Sequence, residues 1–473
     1  MPKFIKNSLK KFILHFIVVY DYFKANLAGQ GDQKISLKEW DMSIGSNGHL
    51  FIEDCDTVEL AKDHGTPLYI VNKKRLQKNF SIFYDCFSRH YCNIEVAYSY
   101  KTNPLPVVLK VLHEAGASAE VISPFELWLA LKLGVPANRI IYNGPGKSEE
   151  SLNFAFSKNV KLINVDSFSE IEIIRTLSMK YKNDQVLGVR VVTSVGWSDQ
   201  FGFPIKNGAA MKAFAMLSEI SGVHTCAIHI HLGTGISDGF TYLKAIKEVL
   251  DFSVLLNESL GIKICYFDFG GGFSVPTVRP FSRIENILRS YSLSPRYKRQ
   301  PTNEPFEEYS GSIIKLFRKY FPQDEDCPQI IFEPGRAISS SAQCLLLKVL
   351  SVKPGRNGNQ ILIMDGGRNI ATPTVYEYHH VYAASKMSDS RIMSYTIYGP
   401  LCHPTDLLYA SEKFPEVDPG DIFAIMDAGA YFIPNQTNFS FPRPAAVIVD
   451  NGECEVIRER EAFQDIISLD CLH

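Results

Sequence analysis

The residues of this chain that could do chemistry stand at the ends of short apolar runs. Lys101 follows one such run, and a lysine amine in apolar surroundings is a candidate nucleophile. His231 lies in a second run, and Gly270–Gly272 would offer backbone N–H donors without obstruction by side chains. Glu333 is an acid that directly precedes a Pro-Gly-Arg segment. In combination, these residues indicate a site that holds a phosphorylated aldehyde.

The elements that must position these residues alternate along the chain from about residue 66. Short β-branched runs alternate with segments whose apolar residues have helical spacing, such as Pro124–Leu133. This alternation is typical of parallel βα units. Nine runs are candidate strands: Pro67–Val71, Ile94–Lys101, Ala117–Ser123, Arg139–Tyr142, Lys161–Asp166, Val186–Val192, Ala227–Leu232, Ile264–Phe269 and Gln329–Phe332. Because a closed barrel of this kind needs eight strands, one candidate belongs elsewhere.

Polar residues collect at the carboxyl ends of these predicted strands. They are Lys101, Ser123, Asp166, His231, Gly270–Gly272 and Glu333. In a barrel of parallel strands, the loops at that end build the active site. The sequence therefore predicts that one face of the barrel gathers the chemistry.

The chain length and a change of pattern indicate two domains. A chain of 473 residues exceeds what one hydrophobic core usually serves. Beyond about residue 340, strand-like runs separated by Gly, Pro and Asp predict a mostly β domain. We expect an N-terminal extension at 1–45, with an amphipathic helix as its preferred interpretation. A segment at 46–70 would contribute to the β domain, with the barrel at 71–335 and the C-terminal β domain at 336–473.

Composition and charge exclude some partners. A net charge of −2 supplies no positive field for a nucleic acid. The ten cysteines are scattered without CxxC pairs or metal-finger spacing, so we expect reduced thiols, a cytoplasmic protein and no metal. Four early lysines precede the apolar run Phe12–Tyr20, which is too short to span a bilayer. A docking or interfacial helix is favoured there, and a signal peptide or a membrane anchor are the alternatives.

Six ordered motifs resemble those of a known family. They are Tyr100-Lys101-Thr102-Asn103, His229-Ile230-His231-Leu232-Gly233-Thr234, Asp268-Phe269-Gly270-Gly271-Gly272, Glu333-Pro334-Gly335-Arg336, Gly399-Pro400-Leu401-Cys402 and Asp427-Ala428-Gly429-Ala430-Tyr431. From about Gly48 to Val449 the chain resembles the fold-type III pyridoxal-phosphate decarboxylases, typified by diaminopimelate and ornithine decarboxylases. The resemblance implies an α/β chain with an alanine-racemase-like (β/α)8 barrel and a C-terminal mostly β domain.

The resemblance also implies roles for individual residues. Lys101 would form the Schiff base with pyridoxal 5'-phosphate, His231 would stack on the pyridine ring, and Glu333 would keep the ring nitrogen protonated. The phosphate would be received by Thr234, Gly270, Gly271, Gly272, Gly335, Arg336 and Tyr431. Cys402 would protonate Cα after carbon dioxide leaves. In this family the Cys402 loop comes from a partner subunit, so a homodimer with active sites at the interface is implied.

Departures from the family pattern bear on the amino-acid substrate. Diaminopimelate decarboxylases usually carry an arginine where this chain has Thr372, although Arg368 could substitute for it. His403 replaces the acidic residue that usually follows the loop cysteine and holds the distal ammonium. Asp365 remains available to a substrate amine. Gln200 replaces a frequent lysine, and Phe439 replaces a tyrosine. We therefore hypothesise a non-standard amino acid with a distal anionic group.

Three alternatives remain open from the sequence. The first is a diaminopimelate decarboxylase proper, in lysine biosynthesis. The second is an amino-acid racemase on the same barrel, which would want a tyrosine base opposite the lysine, whereas Cys402 favours decarboxylation. The third is a non-catalytic regulator derived from a decarboxylase, which the presence of Lys101, His231, Glu333 and Arg336 disfavours.

Overall fold

The computed structural model describes residues 35–236, 238–290, 306–322, 327–355 and 359–471, together with Phe16 and Tyr20. The amphipathic helix expected within 1–45 lies almost wholly outside these residues. At the start of the described chain, Leu37–Trp40 forms a 3-10 helix that buries Trp40 completely. Within the described part of the chain, no helix combines the length and the apolar character that a membrane crossing requires.

The described strands and helices follow one another as the alternating pattern predicts. In chain order the strands are β1 (Met42–Ile44), β2 (Leu50–Ile52), β3 (Cys55–Asp56), β4 (Leu68–Asn72), β5 (Ile94–Ser99), β6 (Ser118–Val121), β7 (Ile140–Tyr142), β8 (Leu162–Val165), β9 (Gln185–Val192), β10 (Phe203–Pro204), β11 (Val223–His229), β12 (Tyr266–Asp268), β13 (Arg279–Pro280), β14 (Gln329–Phe332), β15 (Gln343–Pro354), β16 (Gln360–Met364), β17 (Glu377–Tyr378), β18 (Val381–Ala383), β19 (Met393–Tyr398), β20 (Leu407–Phe414), β21 (Ile422–Ile425), β22 (Ala445–Asp450) and β23 (Glu453–Arg458). The α-helices are α1 (Thr57–His64), α2 (Lys73–Ser88), α3 (Pro106–Glu114), α4 (Pro124–Lys132), α5 (Glu149–Lys158), α6 (Phe168–Tyr181), α7 (Ala209–Ser218), α8 (Gly239–Leu260), α9 (Arg283–Ser290), α10 (Phe306–Arg318), α11 (Arg336–Ser339) and α12 (Phe463–Ile466).

Eight parallel strands close into a barrel. Their order around the ring is β9, β11, β12, β14, β5, β6, β7 and β8, and β8 pairs again with β9. The short β10 adds to the edge of β9 outside the ring. Because the helices between these strands lie on one side of a closed sheet, their apolar faces cover its outside. The predicted (β/α)8 barrel with a mostly β domain is confirmed.

The ninth candidate strand belongs to the β domain. The run predicted at Pro67–Val71 forms β4, which pairs antiparallel with β15 and parallel with β22. The sheet runs in the order β20, β19, β16, β15, β4, β22 and β23, with β21 joining β15 to β18. A small antiparallel sheet of β1, β2 and β3 packs nearby, and Leu50, Ile52 and Leu68 share one buried cluster with Trp40.

Aromatic packing behind the barrel fixes two of the loops that carry predicted site residues. Helix α2 begins at the cap Asn72, whose side chain accepts the N–H of Arg75, and it buries Phe83 and Phe87 one turn apart. The Phe83 ring lies 4.9 Å from that of Phe273, which follows the glycine triplet. The Phe87 ring lies 4.1 Å from that of Phe332, which precedes Glu333. These contacts hold the ends of β12 and β14 against a rigid helix.

Candidate active site

The predicted site residues lie just beyond the carboxyl ends of the barrel strands. Strand β5 ends at Ser99, two residues before Lys101. Strands β11, β12 and β14 likewise end one or two residues before the predicted site residue that follows each of them. Lys101 occupies a 3-10 turn, Tyr100–Thr102. The residues are therefore carried by short loops above the barrel, the position in which this fold builds its active sites.

Lys101 is held by a buried carboxylate. Its Nζ donates to Oε2 of Glu120 at 2.7 Å, and the Ser99 hydroxyl donates to the same oxygen at 2.6 Å. Glu120 lies on β6 with 1% of its side chain exposed. Burial lowers the pKa of Lys101, but the charges of Glu120 and Glu333 outweigh burial and raise the pKa overall. Lys101 is thus an ammonium here and must lose a proton before it can act as a nucleophile.

The upper layer of the barrel interior is polar. Asn143 Nδ2 donates to Glu120 Oε1 at 3.0 Å and to Glu333 Oε1 at 2.5 Å. Asn164 Nδ2 donates to Asn143 Oδ1 at 2.8 Å and to Asp268 Oδ2 at 3.1 Å. All five residues are at most 3% exposed. Barrel interiors are usually filled by branched apolar residues, and burying polar groups costs free energy, so this layer marks a functional site.

Glu333 carries the negative charge at the centre of this layer. Burial raises the pKa of Glu333, but interactions with His229, Asp268 and Lys101 lower it by more than burial raises it. The net shift is therefore downward. Burial and the charge of Glu333 raise the pKa of Asp268 well above its ordinary value. The two shifts therefore favour the ionised form of Glu333 and the protonated form of Asp268. Glu333 Oε2 accepts no hydrogen bond within the described residues, although it lies 3.5 Å from His229 Nε2 and 4.0 Å from His231 Nδ1.

His231 lies between the glycine triplet and an aromatic side chain. The N–H of Gly271 donates to His231 Nδ1 at 3.4 Å, and the indole of Trp197 lies 6.0 Å from the imidazole. Burial and the charge of Lys101 lower the pKa of His231 to about 3. The imidazole is therefore neutral in the folded protein, with Nδ1 as an acceptor.

This lowered pKa predicts an acid-dependent loss of stability in the cofactor-free protein. The ordinary pKa of a histidine is 6.5. Below that pH, His231 is protonated in the unfolded chain but stays neutral in the folded chain. Stability is then lost as the pH falls from 6.5 towards 3. Between pH 6.5 and pH 5, we expect the free energy of unfolding of His231→Gln to fall by about 1–2 kcal/mol less than that of the wild type. Denaturant unfolding at both pH values measures this difference, and parallel losses would contradict it.

The glycines form a cradle of backbone that admits no side chain. A Cβ on Gly270 would lie 2.2 Å from the Ile230 carbonyl oxygen, and one on Gly271 would lie 2.2 Å from that of Glu333. A Cβ on Gly272 would lie 2.4 Å from the Gly233 carbonyl oxygen, and one on Gly335 would lie 1.9 Å from the Thr102 hydroxyl. The two loops can therefore approach each other and an anionic group only as bare backbone.

We predict that Gly271→Ala disrupts this cradle. Since the methyl group meets backbone and not a flexible side chain, the strands must shift, at a cost of about 1–3 kcal/mol. Thermal unfolding and titration with pyridoxal phosphate measure the effect, and we expect weaker binding as well as a lower Tm. Gly146→Ala is the matched control, because nothing lies within 4 Å of its Cβ position. Equal binding by both variants would contradict the cradle.

The remaining predicted phosphate contacts differ in their surroundings. Both terminal nitrogens of Arg336 donate to Glu377, at 3.0 and 2.7 Å, and the guanidinium lies 5.3 Å from the Tyr431 ring. The backbone N–H of Tyr431 donates to the Thr102 carbonyl at 2.9 Å. Thr234 is exposed in the loop after β11. Arg336 thus uses two of its five N–H groups to hold Glu377 and lies against Tyr431.

The predicted substrate residues form a second group on the β domain. Arg368 and His403 line a pocket of about 230 Å³ together with Asn369, Thr372, Leu401, Asp406, Thr437 and Phe439. Arg368 Nη1 donates to the Thr405 carbonyl at 2.9 Å, and the Thr405 hydroxyl lies 2.8 Å from His403 Nδ1. Cys402 is exposed in the same loop. The pocket therefore carries two groups that can bind an anion.

Asp365 does not join this pocket. It follows β16, and its Oδ1 accepts the backbone N–H of Lys348 at 2.8 Å. The sequence analysis expects Asp365 to be available to a substrate amine. In the structure one oxygen of that carboxylate binds strand β15, and Oδ2 is buried without a hydrogen-bond partner among the described residues.

Sequence reasoning missed four residues that organise the site. Glu120, Asn143 and Asn164 lie within or directly after predicted strands, and their signal was a polar residue in an apolar run. Asp406 accepts the N–H groups of Arg368 and Leu401, each at 2.8 Å, and so joins the two loops of the pocket. Its sequence surroundings gave no signal, because its partners lie far from it along the chain or are backbone groups.

Comparison with known proteins supports one family for this arrangement. The family model described as "Pyridoxal-dependent decarboxylase, pyridoxal binding domain" matches residues 74–340. The diaminopimelate decarboxylase of Methanothermobacter thermautotrophicus is 31% identical over 442 residues, which cover 90% of this chain and 96% of that protein. The crystal structure of diaminopimelate decarboxylase from Methanocaldococcus jannaschii with L-lysine superimposes with a TM-score of 0.82 at 28% identity, covering 91% of this chain and 98% of that one. The chain therefore belongs to the fold-type III pyridoxal-phosphate-dependent amino-acid decarboxylases, which are carboxy-lyases.

Proposed function

We propose that this chain decarboxylates diaminopimelate. The observation that carries the proposal is the 31% identity, over nearly the whole of both chains, to a diaminopimelate decarboxylase. The relatives thus favour a diaminopimelate decarboxylase proper over the non-standard substrate that the departures suggested. The two hypotheses share one element, since the far end of diaminopimelate carries a carboxylate as well as an ammonium.

The residues present fit pyridoxal phosphate. Lys101 supplies an amine, the glycine cradle supplies backbone donors, and the buried Glu333 Oε2 lacks a donor among the described residues. When bound, the cofactor would accept the electron pair that remains at Cα when the carboxylate departs. Thr102 Oγ1 is a further buried polar atom without a described partner, beside Gly335.

Each side chain then has a defined task. Lys101 would hold the cofactor covalently, with Glu120 as the carboxylate that receives and returns the amine's proton. Glu333 would supply a negative charge to the ring nitrogen of the cofactor, and neutral His231 would pack against the ring without adding charge. Gly270 to Gly272, Gly335 and the Thr234 hydroxyl would bind the phosphate. Arg336 would contribute chiefly by bracing Tyr431.

The reaction also requires an acid that protonates Cα after carbon dioxide leaves. Cys402 is exposed on a loop that Asp406 holds in shape, so it can reach a neighbouring molecule. We propose that Cys402 serves the active site of a second copy, in a homodimer. We also propose that the enzyme works in the cytoplasm, which its ten free cysteines support.

The pocket beside Cys402 would bind the far end of the substrate. Arg368 and His403 would meet its distal carboxylate, while Asp406, whose pKa is raised by burial, lies beneath them. Arg368 would replace the arginine that family members carry at the position of Thr372. The loop hydrogen bonds through Thr405 would keep both side chains on the same side of the pocket.

Turnover of four amino acids tests this function. We expect carbon dioxide release from diaminopimelate, with kcat/KM at least about 100-fold lower for ornithine, lysine and arginine, which lack the distal carboxylate. Arg368→Ala should raise the KM for diaminopimelate about tenfold, the scale of a lost charged hydrogen bond. Arg175→Ala, an exposed arginine on α6, is the control. No turnover of diaminopimelate would contradict the proposal, and turnover of an anionic amino acid outside these four would then restore the first hypothesis.

A further inference from the structure

A pair of amides crosses the polar layer of the barrel and contacts three carboxyl groups. Asn143 stands between two of them, donating to Glu120 at 3.0 Å and to Glu333 at 2.5 Å. Because Glu120 also accepts a hydrogen bond from the Lys101 ammonium, this amide connects the partner of Lys101 with Glu333, the acid that would serve the ring nitrogen of the cofactor. Asn143 is 3% exposed, and its side-chain nitrogen makes both contacts itself, so the link is direct.

The orientation of the Asn143 amide is fixed by its second contact. Its Oδ1 accepts from Asn164 Nδ2 at 2.8 Å, and Asn164 in turn binds Asp268 at 3.1 Å. The Asn164 amide fits in the barrel only because residue 188 of β9 is a glycine: a Cβ at that position would lie 2.1 Å from Asn164 Oδ1. With its oxygen held by Asn164, the Asn143 nitrogen must face the carboxylates.

Two carboxylates in one dry layer repel each other and raise each other's pKa, unless donors hold them. A primary amide offers two N–H groups and no charge, which lets it bind both carboxylates without competing with Lys101. We propose that Asn143 is a positioning residue that holds Glu120 and Glu333 in a fixed relation and thereby sets the affinity for pyridoxal phosphate. It acts through these two acids and touches no substrate.

The test compares two substitutions in cofactor-stripped protein that is titrated with pyridoxal phosphate. Asn143→Ala removes both donors and should raise the Kd about tenfold, the scale of a lost hydrogen bond to a charged group. Asn143→Asp keeps the shape but adds a carboxylate directly beside Glu120 and Glu333, so it should raise the Kd more than alanine does. Asn183→Ala is the matched control, since its amide donates to the Phe156 carbonyl at the opposite end of the barrel.

The order of the two effects separates positioning from packing. A milder effect of aspartate than of alanine, or an unchanged Kd in Asn143→Ala, would overturn the proposal. Thermal unfolding of each variant shows whether it is folded. If the aspartate variant does not fold, Asn143→Leu decides, because leucine has nearly the shape of asparagine but no N–H donor. Its Kd should rise about as much as that of Asn143→Ala, and a wild-type Kd would overturn the proposal.

Discussion

Replacing Lys101 by alanine is expected to lower kcat/KM by about 10³-fold or more, the scale seen when a covalent nucleophile is removed. Lys101 is the amine at the end of β5, held 2.7 Å from Glu120 above the polar layer. Without it the cofactor would bind only through the glycine cradle and the packing of His231. Carbon dioxide release measures the rate. The mass of the borohydride-reduced protein shows whether the cofactor is still attached covalently.

The matched control for this variant is Lys110→Ala. Lys110 lies on α3 with 69% of its side chain exposed, so it shares the residue type but none of the surroundings. We expect wild-type activity and covalent cofactor in this control. Covalent cofactor in the Lys101 variant would show that a different amine carries it, and would remove the basis of the site.

Replacing Glu333 by glutamine is expected to lower kcat about 10²–10³-fold, as when one preorganised electrostatic contact is removed from an active site. Glutamine has nearly the same shape, but it cannot keep a positive charge on the ring nitrogen of the cofactor. The neighbouring Asp268 would then be relieved of a like charge, so its pKa would fall towards the ordinary range. Steady-state rates with saturating cofactor measure the effect.

Two observations would separate this effect from simple unfolding. The variant should bind pyridoxal phosphate and melt within a few degrees of the wild type, because Asn143 can still hydrogen-bond the new amide oxygen. Glu172→Gln, an exposed acid on α6, should change neither rate nor binding. A Glu333→Gln variant with wild-type kcat would mean that the ring nitrogen needs no acid in this protein.

The barrel and the location of its active face were predictable from the sequence, because both depend on local patterns. Alternating β-branched and amphipathic runs predict parallel βα units, and polar residues at strand ends predict the active face. Five of the eight barrel strands nevertheless end one to three residues before the predicted positions. Lys101, for example, was expected to end a strand but occupies a 3-10 turn. Strand ends depend on when the neighbouring strand stops pairing, which the local pattern does not contain.

The partners of the site residues were much less predictable. Arg336 matched a family motif, yet its two strong contacts are with Glu377, which lies beyond the barrel in sequence. Asp365 stood in the expected segment but binds the backbone of β15. Such contacts form between elements that are distant in sequence, so only the three-dimensional structure reveals them. The sequence alone shows that Thr372 and His403 differ from the residues usual in the family. It does not show that these two residues line one pocket with Arg368.

The central position of β4 has a consequence for folding during synthesis on the ribosome. This strand lies between β15 and β22, so its second neighbour is synthesised only after the whole barrel and most of the β domain. Pairings across such sequence distances form slowly, and an unpaired strand edge invites association with other chains. The barrel can assemble during synthesis while β4 still lacks its partner β22. Chains shortened before β22 should therefore aggregate, even with every residue of the cofactor site present.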